Sequence, residues 1–246
     1  MVVSSAEVVW HDLECGSYRE DLPLWRELSE RVRIGSDPVR ILDVGAGAGR
    51  VALDLARAGH LLTALDLDRD LLSALRERAA DAGVDVEAVC ADARTFELTR
   101  TDFDLCLMPM QTVQLLGGPD ERVAFLRCAR AHLRDGGLLA VAIVTAVEPF
   151  DCSHGDVGPS PEIARVDGHL YETRATRVRA VKERILIERE RRIDGGAAQL
   201  DVIELDRVSA SQLEREGLQA GFHSEGIREL SPTRDHVGGT VVILRA

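Results

Sequence analysis

The chain has 246 residues, 45% hydrophobic and 29% charged, enough apolar material for one large domain, or one and a half, around a sizeable core. A formal net charge of −12 argues against a protein that grips phosphate backbones with Lys and Arg, so no nucleic acid partner is expected. No apolar run approaches the roughly 18 residues of a membrane span, and the first residues lack a secretory signal's basic and apolar regions, so the expectation is cytoplasmic, with no membrane partner.

Along the chain, residues 19–33 place Leu24, Leu28 and Val32 at helical spacing, and Asp37-Pro38 follows as a break. VRILDV is a short, nearly continuous apolar run of the buried parallel-strand kind. It passes through GAGAGR into VALDLARAG, a helix stopped by Gly59. LLTALDL then reads as a strand, and DRDLLSALRERAADAG as a helix with acids in its first turn and Gly83 at its end. VDVEAVCADA and FDLCLM are the third and fourth strands, PDERVAFLRCARAHLRDGG is a helix with Pro119 near its start, and LLAVAIV is the fifth strand. This alternation predicts an α/β fold with βαβ units and a parallel sheet covered on both faces.

After Val144 the texture changes. Residues 145–165, rich in Pro, Gly, Asp and Ser, read as a loop. Residues 166–208 read as an antiparallel meander, from β-branched residues and the alternation of Val178, Ala180, Ile185 and Ile187. Propensity alone also allows a helix over VRAVKERILIERER. Ser209 caps a helix over ASQLEREGLQAG, and HSEGIREL and GGTVVILRA are two final strands. The expected division is 1–37 for an N-terminal cap, 38–146 with 209–246 for the core, and 147–208 for an insertion. The five Cys are scattered without CxxC spacing, which fits a reducing compartment and gives no zinc site.

A buried strand that runs through Gly45-Ala46-Gly47-Ala48-Gly49 into a helix is a ligand-binding crossover, since glycines let a ligand approach the main chain. The next strand ends in Asp66, placed to accept from ribose hydroxyls at the switch point of an open sheet. A nicotinamide dinucleotide is one candidate, but its G-x-G-x-x-G fingerprint fails here because the sixth position is Arg50. Asp43 stands two residues before the first glycine, where an acid repels a pyrophosphate and suits an ammonium or sulfonium group.

ILDVGAGAGRVALDLARAGH resembles the first motif of class I S-adenosylmethionine-dependent methyltransferases. LTALDLD, VCADART, FDLCLM and DGGLLAVAI follow in that family's order and spacing, and the resemblance covers nearly the whole chain apart from the meander. It implies a Rossmann-like seven-stranded sheet ordered 3-2-1-4-5-7-6 with strand 7 antiparallel, helices on both faces, and an inserted antiparallel unit between strand 5 and the last helix. It also implies that the backbone of Gly45, Ala46, Gly47 and Gly49 lies against S-adenosylmethionine, with Asp43 near the methionyl ammonium. Asp66 would hold the ribose, Leu67 would pack on the adenine, and Asp92 with the Ala93 amide would meet the adenine edge. Asp92 also reads as an ordinary turn acid. The segment WHDLECGSYREDLPLWRELSE resembles a cofactor-capping region, in which Tyr18 is either the cap or a residue packed at a helix entry.

Family members that act on nucleobase amines or glutamine amides carry a polar-Pro-Pro-aromatic tetrad after the fourth strand. Here that place reads Met108-Pro109-Met110-Gln111, so those substrates are not expected. Met110 and Gln111 suit a substrate pocket with one hydrogen-bonding group, while Met108 is either a cofactor wall or flexible core filler. No clustered acids near this loop suit a metal. His154, flanked by Asp151 and Asp156, is the candidate catalytic base, with a solvated loop histidine as the plain alternative. Insertions of this kind lid a substrate or build a homodimer contact in similar enzymes. The Arg residues of the meander, interleaved with Glu, read as a solvated face or as a basic pocket. The expected activity is methyl transfer by in-line displacement to a nitrogen or oxygen of a small metabolite. The alternatives are a catalytically silent cofactor-binding sensor or partner subunit, and an NAD(P)-dependent oxidoreductase.

Overall fold

The computed structural model describes residues 5–145, 147–152, 158–233 and 237–246. The chain opens with α1 (Ala6–His11), a π-helical turn over Asp12–Gly16, and α2 (Leu22–Val32). VRILDV becomes β1 (Arg40–Val44), buried from Ile41 to Val44 as a central parallel strand must be. Next come α3 (Arg50–Arg57), β2 (Leu61–Asp66), α4 (Arg69–Ala82), β3 (Val86–Cys90) and β4 (Phe103–Met108). A 3-10 turn over Thr112–Leu115 leads to α5 (Pro119–His132) and β5 (Leu133–Ile143).

The expected stops work as read. The Asp68 side chain accepts from the amides of Asp70 and Leu71 at the start of α4, and Gly83 closes that helix at φ +64°. β5 begins earlier than the sequence reading, inside the stretch taken as the end of the preceding helix. Leu133 pairs with Phe103, and a register irregularity then lets Leu138 pair with Leu105. Gly136, at φ +74°, absorbs the turn between the two registers, and its amide donates to the Ala246 carbonyl.

The inserted unit holds β6 (Phe150–Asp151), β7 (Glu162–Val166), β8 (His169–Val181), β9 (Arg184–Ile193) and β10 (Gln199–Asp206). It is a five-stranded sheet in the order β10-β9-β8-β6, with β7 also paired to β8. β6 and the start of β7 fall in residues read as loop. The Asp167-Gly168 turn, with φ of +50° and +88°, folds β7 back on β8. The chain then closes with α6 (Ala210–Gln219), capped by the Ser209 hydroxyl that accepts from the Gln212 amide, β11 (His223–Leu230) and β12 (Gly239–Arg245).

The main sheet runs β11-β12-β5-β4-β1-β2-β3, and β12 lies antiparallel between β5 and β11. This is the 3-2-1-4-5-7-6 order with a reversed seventh strand. One face buries Trp25, Leu28, Leu55 and Leu72 from α2, α3 and α4 against Ile41 and Leu105. The other buries Phe125, Leu126 and Leu213 from α5 and α6 against Leu42, Met108 and Val141. With both faces covered, ligand access is left at the strand ends. Among the described residues no helix is long and apolar enough to cross a membrane.

Candidate active site

A cavity of about 370 Å³ opens beyond the carboxyl ends of β1, β2, β3 and β4. β1 delivers Asp43 to its floor, 1% exposed, and among the described residues the Asp43 Oδ1 has no hydrogen-bond partner. Burial pushes the Asp43 carboxyl up to about 7; the neighbouring Asp66 adds to the rise, while Arg50 opposes it. An orphaned acid in a dry wall is costly unless a ligand completes it.

The glycine turn is stitched to β2. The amides of Gly45 and Ala46 both donate to the Leu65 carbonyl, at 2.8 and 3.0 Å. The Gly47 amide donates to Asp66 Oδ2 at 2.8 Å, and the Asp68 amide to Oδ1 at 2.9 Å. The Asp66 carboxylate is thus fixed by backbone and keeps lone pairs for a ligand. Gly45, at φ +72°, leaves no room for a side chain: a Cβ there would lie 2.4 Å from Thr112 Cγ2.

Just beyond β3 come Asp92, Ala93 and Arg94. The Arg94 Nε donates to Asp92 Oδ1 at 2.9 Å and its Nη2 to Oδ2 at 2.5 Å. Those bonds hold the Asp92 carboxyl down at about 2, so it is an acceptor at every working pH. Leu67 lies at the mouth, 65% exposed despite being apolar, and offers a face to a flat ring.

β4 feeds the Pro109-Met110-Gln111-Thr112 wall. Met110 holds φ +57°, a left-handed conformation that is uncommon for a non-glycine residue and clusters at functional sites. Gln111 lines the cavity, whereas Gln114 is fully buried and structural. The Gln114 amide nitrogen donates to the carbonyls of Val144 and Asp206, and its oxygen accepts from the Val144 amide. It ties this wall to the end of β5 and to the insertion.

Of the residues singled out from sequence, Asp43, Gly45, Ala46, Asp66, Leu67, Asp92, Ala93, Met110 and Gln111 all line this one cavity. Gly47 and Gly49 shape the turn without lining it; Gly47 acts through its amide. Met108 points the other way, fully buried with Val113, Phe125 and Val141, because alternate strand residues face opposite sides. Tyr18 is buried off the cavity, its ring 5.5 Å from the Arg50 guanidinium and its carbonyl accepting from Arg50 Nη1. His154 lies outside the described residues.

Arg50, which spoils the dinucleotide fingerprint, grips Asp21 with two bonds of 2.5 and 2.7 Å, so it anchors the start of α2 on α3. Sequence reasoning missed His11 and Cys15, which reach the cavity from the N-terminal segment, and Arg94, Thr112, Leu115 and Leu116. The spacing of four between His11 and Cys15 was a usable signal of a shared helix face. His11 lies on Gly47, where a Cβ would sit 2.2 Å from its Nε2. Burial pushes the Cys15 thiol up to about 11, so in the intact site it reacts slowly at neutral pH. Among the described residues no group of three or more His, Cys, Asp or Glu is placed to hold a metal.

Residues 41–137 match the family described as "Methyltransferase domain". The chain is similar to a cypemycin N-terminal methyltransferase of Streptomyces, 37% identical over 118 residues, which are 47% of this chain and 46% of that one. It is also similar to a ubiquinone biosynthesis O-methyltransferase of Parvibaculum lavamentivorans, 26% identical over 43% of this chain and 40% of that one. The match thus spans less than half the length of these curated relatives. Among solved structures, the sugar N-methyltransferase KedS8 of Streptoalloteichus superposes with a TM-score of 0.71 at 16% identity, over 100% of this chain and 95% of that one. The amino pentose methyltransferase CalS10 of Micromonospora, determined with S-adenosylmethionine bound, gives 0.68 at 20% identity, over 100% and 98%. At these identities the structures speak for the fold, that of class I methyltransferases.

Proposed function

We propose that this chain, which has the fold of class I methyltransferases and a methyltransferase-domain match over residues 41–137, transfers a methyl group from S-adenosylmethionine to an amine or hydroxyl of a small metabolite. The observation that carries the reading is Asp43. A buried carboxylate with an unpartnered oxygen beside a glycine turn repels a pyrophosphate and attracts an ammonium group. The other wall residues fit the same cofactor. Asp66 would accept from the ribose hydroxyls, Leu67 would cover the adenine, and Asp92 with the Ala93 amide would meet the adenine edge.

The cofactor supplies the activated methyl and a neutral thioether leaving group. What remains for the chain is to orient the acceptor and keep water out, and alignment of that sort is worth on the order of 7–11 kcal/mol. Met110 and Gln111 form the acceptor wall, one giving an apolar surface and the other a hydrogen-bonding amide. Neither ionises, which fits a reaction whose driving force arrives with the cofactor. His154 is assigned as the base for acceptors that are protonated at working pH.

The test is release of S-adenosylhomocysteine from S-adenosylmethionine across a panel of amine- and hydroxyl-bearing metabolites. Acceptor-dependent release supports the reading; cofactor binding without turnover on any acceptor marks a silent binding module instead. Asp66→Ala removes the ribose acceptor and frees the Gly47 amide. By calorimetry it weakens S-adenosylhomocysteine binding by about 10- to 100-fold, the scale of lost charge-assisted hydrogen bonds. An unchanged affinity places the ribose elsewhere.

A further inference from the structure

The N-terminal segment and the inserted sheet are far apart in sequence and meet at one buried acid. Glu14 sits in the π-helical turn between His11 and Cys15, the two residues that reach over the cavity from this side. Its side chain is 6% exposed and accepts four hydrogen bonds from the insertion. Arg191 gives two, from Nε and Nη2 at 2.8 Å each; Arg189 Nη1 and the Thr173 hydroxyl give one each at 2.9 Å. Arg191 also faces Asp201 at 3.3 Å, so two acids meet two guanidiniums. The same strands hold Trp10, which meets the Tyr171 ring edge-on at 5.0 Å and lies under the Arg191 guanidinium at 5.6 Å.

A desolvated carboxylate saturated by two arginines is a stiff, geometry-specific joint, and removing one partner leaves buried charge without compensation. The π-helical turn adds a local departure from α-helical pitch that recurs at functional sites. We infer that Glu14 is a positioning residue of the cofactor site: its clasp with Arg189 and Arg191 holds the N-terminal segment, and with it His11 and Cys15, over the glycine turn. The inference rests on the cofactor reading above. It gives the inserted sheet a task at the cofactor, namely to set how tightly the cavity is enclosed.

The test compares wild type with Glu14→Gln, Glu14→Asp and the milder Arg189→Gln, which leaves Arg191 on Glu14. One readout is the rate of iodoacetamide labelling of Cys15, followed by peptide mass spectrometry with fully buried Cys106 as internal reference. The other is S-adenosylhomocysteine affinity by calorimetry. Glu14→Gln should speed Cys15 labelling by about tenfold or more with Cys106 unchanged, and weaken S-adenosylhomocysteine by a similar factor. Glu14→Asp, which keeps the charge, restores part of both, and Arg189→Gln weakens S-adenosylhomocysteine binding less than Glu14→Gln.

Unchanged Cys15 labelling in Glu14→Gln overturns the clasp. Faster labelling with unchanged affinity overturns its link to the cofactor. A wild-type chain that does not bind S-adenosylhomocysteine overturns the cofactor reading and this inference with it; that failure is distinguishable because it precedes any substitution.

Discussion

Between about pH 5 and 7 the affinity for S-adenosylhomocysteine rises by about tenfold per pH unit and then levels off, because Asp43 must lose its proton to face an ammonium group. In the free chain burial holds the Asp43 carboxyl up at about 7, well above the usual 3.8 of an aspartate. Its contribution to folding stability is therefore fully present below 3.8 and is lost as pH rises through about 7. A bound ammonium reverses that penalty, since it favours the charged form that burial disfavours. S-adenosylhomocysteine is the right probe because it carries the ammonium without the sulfonium charge. Asp43→Asn flattens the profile near the wild-type affinity at the acidic end, and the free variant is more thermostable than wild type at pH 8. Calorimetry in buffers of different ionisation enthalpy reads the released proton directly. A wild-type profile that is flat from pH 5 to 8 contradicts the placement of Asp43.

Arg122→Met costs about 3–5 kcal/mol of folding stability, the range found when one member of a buried ion cluster is removed. Arg122 is 2% exposed; its Nε and Nη2 donate to Glu216 at 2.8 and 2.7 Å, and its Nη1 to Asp206 at 2.9 Å. It joins α5 to α6 and to the end of β10, so one guanidinium fastens the insertion's exit to the helical layer. Asp206 keeps Arg184 at 3.2 Å, but among the described residues Glu216 is left buried with the Gln212 amide and no facing cation. Against a typical total of 5–15 kcal/mol this is a large share. Urea unfolding should show a lower midpoint at unchanged slope, and Arg122→Met with Glu216→Gln should regain much of the loss. A single-variant loss under about 1 kcal/mol would mean the cluster is solvated in solution.

The parallel core was legible because its signals are local. Apolar runs of strand length and glycine stops fix the order of elements, and a parallel sheet places every strand's carboxyl end on one side. Asp43, Asp66 and Asp92 could therefore be assigned to one site from their positions at strand tips. For His11 and Cys15 only the spacing of four was legible, because their approach to the cavity depends on a π-helical turn and on the ionic joint at Glu14, whose arginines lie far along the chain. Arg50 was read as a departure from a motif, and its partner Asp21 is a tertiary fact. The β8–β9 hairpin carries no glycine at its turn, where Lys182 takes φ +53°, so turn chemistry gave little warning of it. The β7–β8 turn did carry a signal, Asp167-Gly168, one of the dipeptides favoured in two-residue hairpins.

A side-by-side calorimetric titration of the wild-type chain with S-adenosylhomocysteine and with NADH tests the central claim most directly. The account predicts saturable one-site binding of S-adenosylhomocysteine at pH 8 and no binding heat with NADH. Saturable binding of NADH with none for S-adenosylhomocysteine would contradict it.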